Sequence, residues 1–243
     1  MTASGRPAHD PAGDPSRDLS GDAAVRAAYD TIAADYDRGG WVRAPGRALD
    51  RALLAAFAAA VEPGRPVADL GCGPGHVTAY LAELGLAPSG LDLSPAMVAR
   101  ARRRYPDLAF AVGSMTALDA ADASQGGISA LYSTMHVPTG QLSVLLAEFR
   151  RALLPGGPLL LAVFEGDGHR DVREWLGHQV LVRFHYRPRA TLVAALEAAG
   201  FVVDVELVVH PSPDDRRRHH LLVAHRDPAA ARPEGRPTAT GSP

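Results

Sequence analysis

Lysine is absent from the 243 residues, so all 25 basic side chains are arginines. That absence excludes Schiff-base chemistry, a P-loop lysine and a lysine general base. A single cysteine, Cys72, excludes an internal disulfide framework and any cysteine-based metal cluster, and it suits a reducing compartment. Aromatic residues make up only 6%, and the 47% apolar share rests on Ala, Leu and Val, the composition of a globular chain with room for a core. Charge of one sign is missing too. Twenty-five basic against 27 acidic residues leave −2, without the basic excess by which a dedicated nucleic-acid binder displaces counterions. No apolar run reaches the length of a membrane span, and the first 22 residues lack the apolar stretch of a secretory signal. The expectation is a cytoplasmic protein with neither nucleic-acid nor membrane partner, acting as a monomer or homodimer.

Residues 1–20 and 227–243 are rich in Pro, Gly, Ala and small polar residues and are expected to be disordered tails, because they bury too little to offset their ordering entropy. Residues 21–226 alternate short apolar runs with helical periods, which predicts one α/β domain. A helix is expected from Gly21 to Asp37, with Val25, Tyr29, Ile32 and Tyr36 on one face, and a second over residues 46–61, the pair forming an N-terminal lid. Strand and helix then alternate: strand 67–70, helix 75–84, a strand ending at Asp92, and a helix opened by Ser94-Pro95 as N-cap and first helical proline. A strand 108–112, a short helix 117–121, a strand 128–133, a helix 141–154 and the apolar strand 159–164 follow. After a less regular stretch, 165–187, the pattern closes with a helix 189–199 and two strands, 201–209 and 221–224, joined without a helix. The fold expected is a Rossmann-like, seven-stranded, mostly parallel sheet with a terminal antiparallel hairpin and helices on both faces.

Three strand ends carry the chemistry. Val67 to Gly75 is an apolar strand running into alternate glycines, Gly71, Gly73 and Gly75, and then a helix. Glycine is needed where the chain turns with positive φ and where a ligand lies against the backbone. Two features separate this turn from the dinucleotide fingerprint: His76 stands where a third glycine is required, and Asp69 precedes the first glycine by two. A carboxylate there repels a pyrophosphate and suits a cationic amino group. Asp92 ends the next strand, where an acid accepts the hydrogen bonds of a ribose diol. Gly113-Ser114-Met115 ends the third and offers a hydroxyl, a thioether and amides to an adenine.

On these residues, together with the turn Arg151 to Gly157 into the fifth strand, the chain resembles the class I S-adenosylmethionine-dependent methyltransferases over about residues 21–226. The resemblance implies S-adenosylmethionine as cofactor. Gly71, Gly73 and Gly75 would line its methionine part, with Cys72 a small side chain inside the turn. Asp69 would face the amino group, Asp92 the ribose, and Met97 and Met115 the adenine, with Leu93, Ser114 and Ser133 in the same wall and Tyr36 as a cover. Many relatives carry Asp where this chain has Ser114.

Methyl transfer to a hydroxyl, phenol or acidic carbon needs a base, and without lysine the candidates are His, Asp and Glu. His136, just past the fourth strand, is the catalytic candidate. Residues 165–187 with the first helix are the expected cap over a small-molecule substrate, with Tyr29, His136, His169, Trp175 and His185 as its contacts. Alternation over Gln179–Arg187 points to a half-buried strand. Glu165, His169 and His178 match no common ligand spacing, so no metal is expected, and the arginine clusters at 100–104 and 216–218 read as solvated surface. The expected function is methyl transfer from S-adenosylmethionine to an O, N or C nucleophile of a small molecule, a secondary metabolite. The rival readings are a protein of the same fold that binds S-adenosylmethionine for a non-methylating step such as cyclisation, and an NAD(P)-dependent oxidoreductase.

Overall fold

The computed structural model describes residues 21–36, 48–213 and 215–229. The expected tails, apart from residues 227–229, and the join between the first two helices lie outside the described residues.

The chain order is α1 (Asp22–Ile32), α2 (Ala48–Ala60), β1 (Pro66–Leu70), α3 (His76–Glu83), β2 (Ala87–Asp92), α4 (Pro95–Arg104), β3 (Ala109–Val112), β4 (Gly127–Leu131), α5 (Leu142–Ala152), β5 (Pro158–Glu165), β6 (His169–Trp175), β7 (His178–His185), α6 (Arg189–Ala198), β8 (Phe201–Val209) and β9 (Arg218–Arg226). Seven strands form one sheet in the order β3-β2-β1-β4-β5-β9-β8, parallel as far as β5 and antiparallel from β9 onward. The expected sheet is therefore present, terminal hairpin included. β5 is buried along seven of its eight residues, which accounts for its unbroken apolar sequence.

Local signals hold at α4, where Ser94 Oγ accepts the Met97 amide and Pro95 opens the helix. They fail at the short helix expected over 117–121, which is a set of turns. The backbone there bonds to α5 instead of to itself: the Leu118 amide donates to Glu148, while Arg151 donates to the Leu118 and Ala120 carbonyls. α1 is likewise shorter than its pattern, ending at Ile32, so that Tyr36 stands on the turn beyond it.

The stretch 165–187 is more regular than expected. β6 and β7 pair as a separate two-stranded hairpin. Its inner face, Val172, Trp175, Val180, Val182 and Phe184, packs on Val25, Ala28 and Ile32 of α1 in one apolar cluster. Arg187, just past β7, is 1% exposed; its guanidinium donates to the Thr134 and Val137 carbonyls and so holds the turn after β4. The hairpin and α1 together form a layer beside the carboxyl ends of β1, β2 and β4.

Candidate active site

In the sheet order, β1 and β4 are where the winding reverses, and the crevice beyond their carboxyl ends is the ligand position of open α/β sheets. A cleft of about 1010 Å³, its open mouth included, occupies this place. The glycine turn after β1, Leu91 to Leu93, Gly113, Met115, the segment Leu131 to Ser133, His136, and Tyr29 and Tyr36 from the α1 side line it.

Two glycines are irreplaceable there. Gly71 has φ +75°, and a Cβ on it would stand 2.2 Å from Ser133 Cβ; Gly75 has φ +88°, and a Cβ would stand 2.9 Å from the Phe110 ring. The turn is fastened to β2 by Asp92, whose carboxylate accepts the amides of Gly73 and Ser94, each at 2.8 Å. Burial raises the Asp92 pKa to about 6 against the pull of those two amides, with Asp30 adding to the rise. Each carboxylate oxygen keeps a lone pair for a ligand hydroxyl. With Gly71, Leu93, Met115 and Ser133 around it, this set fits the aminoacyl and nucleoside portions of S-adenosylmethionine.

Several expected positions are elsewhere. Asp69 is 2% exposed and does not line the cleft: its oxygens accept Thr78 Oγ1 at 2.6 Å and Ser129 Oγ at 2.9 Å, bracing β1 to α3 and β4. Burial raises its pKa to about 6, opposed by those hydroxyls. Met97 is wholly buried in the α1–hairpin cluster, because the Ser94 cap turns it under α4. Ser114 bonds Thr116 outside the lining, and Gly75 is the α3 N-cap behind it. Cys72 does line the cleft, its thiol pushed up by burial first and by Asp92 and Asp69 next, which keeps it inert.

On the substrate side, His136 faces the cleft while held at both nitrogens: Nε2 lies 2.8 Å from Tyr29 Oη and Nδ1 3.3 Å from the Arg183 carbonyl. Burial lowers its pKa to about 4. The imidazole is neutral, with Nδ1–H donating to the carbonyl and Nε2 accepting the Tyr29 hydroxyl. A second cavity of about 430 Å³, its open mouth included, lies beside the first and shares Tyr29, Tyr36 and Tyr132 with it. Met135, Phe164, Trp175, Phe184, Arg217 and His219 complete its wall. Of the expected substrate contacts, Tyr29 and Trp175 are there and His136 is next door. His169 and His185 instead face each other across the outer hairpin, 6.2 Å apart, because odd positions of β7 point away from α1. His178 pairs with Asp35 at 2.7 Å, tying the hairpin to the turn after α1.

Sequence reasoning missed Tyr132, Phe164, Phe184, Arg217 and His219. Arg217 is no solvated surface residue: its guanidinium lies 4.3 Å over the Phe164 ring. The available signal was the pair His219-His220 inside an apolar strand pattern, where two imidazoles need a reason to be buried.

Residues 67–157 match the family described as a methyltransferase domain. A demethylmenaquinone methyltransferase of Beutenbergia cavernae is 37% identical over 172 residues, 70% of this chain and 68% of that one. A trans-aconitate 2-methyltransferase of Methylobacterium nodulans is 34% identical, covering 79% of this chain and 76% of that one. Among solved structures, a Burkholderia thailandensis 1,6-didemethyltoxoflavin-N1-methyltransferase, bound to 1,6-didemethyltoxoflavin and S-adenosylhomocysteine, superposes with a TM-score of 0.65 at 26% identity, over 91% of this chain and 94% of that one.

Proposed function

Since the chain belongs to the class I S-adenosylmethionine-dependent methyltransferases, we propose that it methylates an O, N or C nucleophile of a small secondary metabolite held in the aromatic cavity beside the cofactor cleft. One observation carries this reading: the two cavities share a wall of Tyr29, Tyr36 and Tyr132, so an acceptor in one meets a cofactor in the other. The relatives support a small acceptor, since their names specify demethylmenaquinone, trans-aconitate and 1,6-didemethyltoxoflavin. Family membership replaces the nicotinamide oxidoreductase expectation. Among the described residues no helix is long and apolar enough to cross a membrane.

The cofactor supplies a sulfonium with a transferable methyl group. Asp92 and the glycine turn bind and orient its nucleoside and amino acid ends. Tyr29 and Tyr36, covered by the hairpin, exclude water and set the approach line of the acceptor. We assign His136 to positioning: its Nε2 is taken by Tyr29, and a neutral imidazole of lowered basicity holds that ring in place. The domain limits, 21–226 with a cap at 165–187, belong to the same proposal.

Incubation with S-adenosylmethionine and a panel of small hydroxylated and amino metabolites should release S-adenosylhomocysteine together with a product heavier by one methylene. Product formation without S-adenosylhomocysteine would establish the non-methylating rival instead.

A further inference from the structure

The aromatic cavity has one polar corner. Tyr132 Oη lies 3.0 Å from His219 Nδ1, and His219 Nε2 lies 2.7 Å from Asp215 Oδ2. Arg217 Nε and its second guanidinium nitrogen grip the two Asp215 oxygens at 2.8 and 3.2 Å, and the Arg217 amide adds a third bond at 3.2 Å. His219 is 2% exposed, wedged edge-on between Tyr132 and Phe164. Burial alone would raise the Asp215 carboxyl; Arg217 overrides this, with His219 helping, and holds it well below the usual carboxylate range. Because the carboxylate is ionised, Nε2 carries the ring proton toward it, and Nδ1 is left as the acceptor of the Tyr132 hydroxyl.

Tyr132 has a backbone feature to match. Its φ is +55°, a left-handed conformation that an aromatic residue adopts only when its surroundings impose it. The constraint is visible: its amide donates to Ala162 at 2.7 Å, and Ser133 Oγ next to it donates to the Leu70 carbonyl at 2.7 Å. The result turns the Tyr132 ring off the end of β4, into the wall common to both cavities.

The geometry points to a proton relay, Tyr132–His219–Asp215, that serves a planar aromatic acceptor bearing an ionisable hydroxyl. This inference rests on the methyl-transfer reading above and names its substrate class and its base. The acceptor ring stacks among Tyr29, Phe164, Trp175 and Phe184, and its hydroxyl donates to Tyr132 Oη. As the acceptor oxygen forms its bond to the methyl carbon, the methyl–sulfur bond breaks and its electron pair returns to sulfur. The acceptor proton moves to Tyr132 Oη, the Tyr132 proton moves to His219 Nδ1, and the imidazolium is balanced by Asp215 until it releases the proton to water. Tyr132 touches the acceptor and is the catalytic residue; His219 takes the proton; Asp215 and Arg217 position the ring and set its charge.

The test uses 7-hydroxycoumarin, whose absorption reports its ionisation, and 7-methoxycoumarin, which has no proton to lose, each titrated with the full-length protein with and without S-adenosylhomocysteine. The bound hydroxycoumarin is expected to ionise at least one pH unit below the free probe, a tenfold shift in its acidity. Tyr132→Phe, His219→Gln and Asp215→Asn should each return that midpoint toward the solution value, while methoxycoumarin affinity changes less than two-fold and circular dichroism is unchanged. An unshifted midpoint in the native protein, failure of both coumarins to bind, a shift retained in His219→Gln, or equal loss of both probes in the variants would overturn the relay. Failure of S-adenosylhomocysteine to bind would overturn the methyltransferase reading, and the coumarin titration without it would still decide the relay.

Discussion

Asp92 fastens the glycine turn through two amides, and in the proposed function its remaining lone pairs hold the ribose. Replacing it with alanine removes charge-assisted bonds, so Asp92→Ala should weaken S-adenosylhomocysteine binding by about 1–3 kcal/mol, read by calorimetry. Its pKa of about 6 adds a pH signature. The ionised form is the acceptor, so native affinity should fall as pH drops through 6, and an Asp92→Asn variant should show a flatter profile. His136 is shifted the other way, downward. Its folded pKa of about 4 lies below the ordinary 6.5, so its contribution to stability is intact above 6.5 and is lost as pH falls toward 4. Between pH 7.5 and 5 the stability advantage of the native protein over His136→Phe should therefore shrink by about 1–2 kcal/mol in urea denaturation. The place of Asp92 in the cleft wall was legible from its position at a strand end. The reassignment of Asp69 was not, because its partners Thr78 and Ser129 lie on other elements that only the assembled sheet brings beside it.

Elements, taken singly, obeyed their local chemistry where the chain could satisfy itself and departed from it where a neighbour offered better partners. α4 is the first kind. Ser94 caps it and also donates to Asp30 of α1, so Ser94→Ala should cost about 1 kcal/mol for the cap, checked by thermal or urea unfolding. The turns at 117–120 are the second kind, since Arg151 and Glu148 take the hydrogen bonds that a short helix needs. The alternation over 179–187 marked β7 correctly, yet periodicity alone does not say which strand or helix receives the apolar face. That receiver is α1, and the odd positions that carry His185 are thereby turned outward, away from the aromatic cavity.

For the whole molecule, burial and pairing set the sheet apart from the layer formed by α1 and the β6–β7 hairpin. β5 is buried through most of its length between strands and helices, whereas the hairpin's strands pair only with each other and meet the rest of the domain through one apolar cluster, the His178–Asp35 pair and the Arg183 carbonyl at His136. Amide hydrogen exchange should consequently be fastest in α1 and β6–β7 of the ligand-free protein, and S-adenosylhomocysteine should slow α1 more than β5. Equal protection of both layers in the free protein would remove the distinction. The sequence by itself determined the fold class, the family and the place of the glycine turn and Asp92 at neighbouring strand ends, because these depend on periodicity and on residues within one strand-turn-helix unit. The tertiary structure alone decided the second cavity. Tyr132, Phe164, Trp175, Phe184, Arg217 and His219 come from the turn after β4, from β5, from the hairpin and from the entry into β9, and no local pattern records contacts between segments so far apart. Its polar corner exists because β9 runs antiparallel beside β5, which sets His219 opposite Phe164 and within reach of Tyr132, the residue just past β4.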